Sequence, residues 1–88
     1  MPAICRFAGI VIRMYFRDHP PPHFHAFYAK HEAKYDLDGR LLGGRLPRRQ
    51  HRLVRGWASA RRAELLGCWA RAQSAESIGS IDPPEVNR

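Results

Sequence analysis

The hydrophobic pattern of this chain changes period once, at Gly43-Gly44, and that change limits the fold more than any other feature. Before the glycines, apolar and polar residues alternate, the repeat of a strand with one buried face. After them, apolar residues recur every three or four positions, the repeat of an amphipathic helix. Strands first and helix last, in a chain of 88 residues, imply an α+β domain with one modest core.

The strand half divides at its turn residues. Gly9 to Phe16 (GIVIRMYF) is rich in branched and aromatic side chains and reads as a strand. Alternation puts Ile10, Ile12, Met14 and Phe16 on one face and Val11, Arg13 and Tyr15 on the other. Asp18-His19-Pro20-Pro21-Pro22 stops it as a stiff loop, because proline has no N–H for a ladder. His23 to Tyr28 and residues 32–37 are the next two strands, and Asp38-Gly39 ends the latter in a turn. Leu41-Leu42 adds a short fourth. Pro47 suits the first turn of a helix. Val54, Trp57, Ala58, Arg61, Leu65, Cys68, Trp69 and Ala72 then form its buried stripe, in one helix from Pro47 to Ala75 or two joined near Gly56 or Ser59. The expected architecture is a small three- to four-stranded antiparallel sheet followed by a long or broken C-terminal helical segment packed on one face. Ile10, Ile12, Met14 and Phe16 should meet Val54, Trp57, Leu65 and Trp69. Residues 1–75 form the single domain; residues 76–88, polar and without period, read as a flexible tail.

No apolar stretch approaches the roughly 18 residues of a membrane span. Cys5 and Cys68 show no disulfide or zinc spacing, so a cytoplasmic protein without cofactor is expected. Charge is more informative: fifteen Lys+Arg face eight Asp+Glu, and thirteen of the fifteen are arginines, whose planar forks match phosphate oxygens.

Position sharpens this. Arg45, Arg48, Arg49, His51, Arg52, Arg55, Arg61 and Arg62 follow one another with no acidic residue between 39 and 63. Several fall in the helix's first turns, where the macrodipole disfavours cations and unpaired N–H groups favour anions. The alternative is a solvated basic face. A second cluster, His19-Pro-Pro-Pro-His23-Phe24-His25, places His23 and His25 on one strand face. It fits an acid/base pair, a structural pair, or a metal site with an open position. No carboxylate sits at metal-ligand spacing nearby, so no metal is expected. Third, Arg13, Tyr15, His23, His25, Lys34 and Asp36, with Phe27, would share the open face of the sheet. Interleaved basic and aromatic groups there suit stacked bases and phosphates, or a covered homodimer surface.

These residues resemble a bacterial family of small proteins, domain of unknown function 4160. The likeness is carried by IxRFxGIxIxMYFxDHxPPHFHAxY (residues 4–28), LxGxLPxRxxRLVxxWA (42–58) and RxELxxxW (62–69), and covers residues 2–73 in order. Members often have a polar residue where Phe27 stands, His in place of Arg61 and Asn in place of Cys68. The resemblance implies a small protein encoded beside a partner, the pair looking like a toxin–antitoxin module, and implies no catalytic residue set.

The expected function is nucleic-acid binding within such a module, RNA before DNA, with metal-independent RNA cleavage as its enzymatic version. His23 and His25 would be acid/base or phosphate-contacting groups, and Arg13, Tyr15, Arg48, Arg49, Arg52 and Arg55 would hold the nucleic acid. The alternative is a non-catalytic interaction protein whose basic face binds an acidic partner, such as a cognate antitoxin.

Overall fold

A computed structural model describes residues 3–84. Strands β1 (Ala3–Phe7), β2 (Ile10–Arg13), β3 (His23–Tyr28), β4 (His31–Asp36) and β5 (Leu41–Arg45) precede helices α1 (Arg48–Ala60) and α2 (Arg62–Gln73). The sheet is an antiparallel meander in the order β1-β2-β3-β4-β5. It holds five strands where three or four were expected.

The added strand is β1. A register shift between Ala3 and Cys5 puts both Ile4 and Cys5 inward, which breaks the alternation that would reveal a strand. Phe7 pairs with Ile10 across the two-residue turn Ala8-Gly9. Both turn residues have positive φ (51° and 77°), the backbone that matches the twist of a tight hairpin. Gly9 therefore belongs to the turn, not to the strand it was expected to start.

β2 also ends earlier than expected, at Arg13. Ile10, Ile12 and Met14 are buried, but Phe16 is 44% exposed, so it is not the fourth member of the core face. Past Arg13 no ladder holds the alternation, and Arg17 (φ 53°) turns the chain away.

The buried face of the sheet continues through Phe24, Ala26, Ala33 and Tyr35, and forms one cluster with Val54, Trp57, Leu65 and Trp69 as expected. Trp57 is its hub, with ring centroids 5.5 Å from Phe7 and 5.7 Å from Phe24. The helical segment is broken, at Arg61 and not at Gly56 or Ser59. There the backbone (φ −112°, ψ 21°) leaves the helical region, and the Arg61 N–H is shared between the Trp57 and Ala58 carbonyls. Side-chain spacing carries no cue to this kink.

The expected tail is packed as far as Asp82. Ile78 and Ile81 are buried, the Ile81 N–H donates to the Ile4 carbonyl on β1 at 2.8 Å, and Trp57 Nε1 donates to the Asp82 carbonyl at 2.9 Å. Two isoleucines three apart were the overlooked signal. Residues 85–88 lie outside the described residues.

Candidate functional site

The loop between β2 and β3 is tied to the end of α2. The Arg17 N–H donates to the Ala72 carbonyl (3.1 Å), and Gln73 Nε2 donates to the Asp18 carbonyl (3.1 Å). The chain then crosses the cis Pro20-Pro21 bond into β3. This route folds Asp18 back onto the first turn of β3, five residues on. The expectation that no carboxylate lies near the histidines is thereby corrected: Asp18 Oδ2 is 2.9 Å from His23 Nε2 and 3.6 Å from His25 Nε2. Sequence distance hid it, because a proline-rich loop reads as a spacer when it is a fold-back.

His23 is only 5% exposed, not open to solvent as expected, and its ring lies 5.4 Å from that of Trp69. Its Nδ1 donates to the Pro21 carbonyl at 2.7 Å. Both ring nitrogens therefore face oxygens that only accept. His25 has an 18% exposed side chain, but its two ring nitrogens are buried and make no hydrogen bond among the described residues. Nε2 looks toward Asp18, and Nδ1 lies 3.6 Å from Glu32 Oε2. Asp18 Oδ1 accepts the His19 N–H at 2.8 Å. Partial burial pushes the Asp18 carboxyl up, but the His19 N–H and the neighbouring His23 outweigh this and hold it below the ordinary carboxylate value.

The cleft beside this cluster, about 300 Å³, is lined by Asp18, His19, Pro20, Pro21, His23, His25, Lys34 and Leu42. Arg13 and Lys34 are the cross-strand neighbours of His25. Tyr15 meets His25 edge-on at 4.7 Å, Phe27 stacks on it at 6.4 Å, and the Arg13 guanidinium lies 5.8 Å from the Phe27 ring. The expected basic and aromatic face thus exists around His25. Asp36 serves elsewhere: its Oδ1 accepts the N–H groups of Asp38 and Arg40 and closes the turn to β5.

The arginines of α1 form a separate surface. Arg48, Arg52 and Arg55 fall on one side of the helix, with Arg49 beside them, all exposed and turned away from the buried Gln50, Val54, Trp57 and Ala58. The first turn has no acidic residue, and no side chain caps it. Among the described residues, no carboxylate comes within 4 Å of these guanidinium groups or of Arg45. Arg61 and Arg62 differ, pairing with Glu64 and Asp38. Since α1 covers the core face of the sheet and His25 lies on the opposite face, the histidines and the α1 arginines do not share one site.

Fold and surface together define a small α+β protein with a histidine–carboxylate cleft on one side and a basic helix on the other. The chain belongs to the family described as domain of unknown function DUF4160, whose model matches residues 9–70. No curated protein and no solved structure matches it.

Proposed function

We propose that the protein binds nucleic acid, RNA before DNA, as one member of a toxin–antitoxin-type pair. The observation that carries this reading is the row of guanidinium groups Arg48, Arg49, Arg52 and Arg55. Among the described residues none has a carboxylate partner, and Arg48 and Arg49 stand in the first turn of α1, where helix stability alone favours Asp or Glu. Guanidinium forks beside uncapped N–H groups make a phosphate surface. Stacking at Tyr15 and Phe27 on the other side of the sheet offers single-stranded bases a second foothold.

Cleavage by His23 and His25 as an acid/base pair has weaker support. A shuttling imidazole needs one nitrogen free for substrate, whereas both nitrogens of His23 are turned to Pro21 and Asp18.

The test is fluorescence anisotropy of a labelled single-stranded RNA against salt. Replacing Arg48, Arg52 and Arg55 by Ala should weaken binding and flatten the logarithmic salt slope by about one unit per lost phosphate contact. RNA binding that is absent, or unchanged in that variant, would defeat the reading and favour an acidic protein partner on the same face. Expression with and without the genomic neighbour, read as growth, tests the pairing.

A further inference from the structure

We propose that Asp18, His23 and His25 bind a divalent transition-metal cation, zinc before others, with the remaining coordination positions turned to the cleft. The inference does not depend on nucleic-acid binding.

The Pro21 carbonyl requires a proton on His23 Nδ1, which leaves Nε2 with a lone pair in the neutral ring. In that form the lone pair would face Asp18 Oδ2, 2.9 Å away, whereas a hydrogen bond there takes a second proton on the ring. A second proton on His23 would relieve this contact, but it would do nothing for His25. The Nε2 of His25 faces the same oxygen from 3.6 Å and is buried, with no hydrogen bond among the described residues. One cation between the three donor atoms satisfies His23, His25 and Asp18 together.

The distances suit that occupant. Bonds of about 2.0–2.1 Å in a tetrahedral centre put neighbouring donor atoms roughly 3.3 Å apart. The separations of 2.9 and 3.6 Å straddle that figure, and all three donor atoms lie within 4.8 Å of one another.

The His23 ring is also held as metal-binding imidazoles are held, by an acceptor at the nitrogen away from the ion, the Pro21 carbonyl. His25 Nδ1 faces the Glu32 carboxylate from 3.6 Å, beyond hydrogen-bond distance. Two nitrogens and one carboxylate oxygen are borderline donors that suit zinc better than magnesium or calcium. With three protein donors the coordination is incomplete, as in sites that take water or a ligand, and the Lys34 side chain on the cleft wall favours an anion there.

The experiment uses tag-free full chain stripped with chelator. Zinc titration calorimetry is paired with the visible spectrum of the cobalt complex. One equivalent should bind, with the intense absorption of a low-coordinate cobalt centre. Asp18→Asn and His25→Ala, checked for folding by circular dichroism, should each weaken zinc by more than about 100-fold. His31→Ala, on an exposed turn-side position of β4, should leave affinity unchanged. No binding to the folded wild type, or binding that survives both Asp18→Asn and His25→Ala, overturns the inference. Because His25 is not in the core, its variant stays informative if substitution at His23 unfolds the chain.

Discussion

A single carboxylate organises the residues around the proline loop. The Asp18 carboxyl is held below its ordinary value by the His19 N–H and by His23, against the opposing effect of partial burial. A group whose folded pKa is depressed stabilises the protein above the unfolded value, near 3.8 here, and that contribution disappears as pH falls through the lower folded value. In chelator, wild type should therefore exceed Asp18→Asn in urea midpoint at pH 7, and the gap should close progressively below pH 3.8. A gap that persists into strong acid would mean that the carboxylate's charge is not what the fold uses. The histidines themselves were legible as a pair, since two imidazoles two apart on a strand must share a side. Their carboxylate was not, because pairing across a loop depends on which way the prolines turn, and no local propensity reports that. Glu32 was hidden for a related reason: only the register of β3 against β4 brings it beside His25.

At the scale of elements, the period change at Gly43-Gly44 gave the right order of sheet and helices, but the two glycines have unequal work. Gly44 has φ 69°, and a Cβ there would fall on the Glu32 carbonyl, whereas nothing stands near a Cβ at Gly43. Gly44→Ala should destabilise by at least about 2 kcal/mol, combining left-handed backbone with a backbone clash. Gly43→Ala should stay within about 0.5 kcal/mol of wild type, as surface substitutions usually do. Equal urea midpoints for the two variants would contradict the described pairing of β4 with β5. The strands that sequence placed well, β3 and β4, are those that pair with each other over six residues without a register shift. β1 escaped because its bulge sends consecutive residues inward, and Phe16, the last residue of the first expected strand face, was misplaced because the ladder that enforces alternation ends at Arg13. The break at Arg61 separates two stretches of equally good helix formers, so intrinsic preference cannot locate it.

Across the whole molecule, the segment after α2 closes the outer side of β1. Ile78→Ala and Ile81→Ala should each cost roughly 2–5 kcal/mol in urea unfolding, the range for truncating a buried aliphatic side chain. Losses near zero would return that segment to the status of a loose tail. The same bookkeeping separates the two surfaces: phosphate binding at α1 should respond to salt, and metal binding at the cleft to chelator, with neither variant set crossing over. The cleft is also coupled mechanically to α2. Asp18 hangs from the last turn of α2 through Arg17 and Gln73, while the imidazoles ride on the sheet. The distance from oxygen to nitrogen in the cleft is thus a caliper on how closely helix and sheet sit. Whatever grips α2 from outside sets the jaws, and an ion locked between them would stiffen the helix in return.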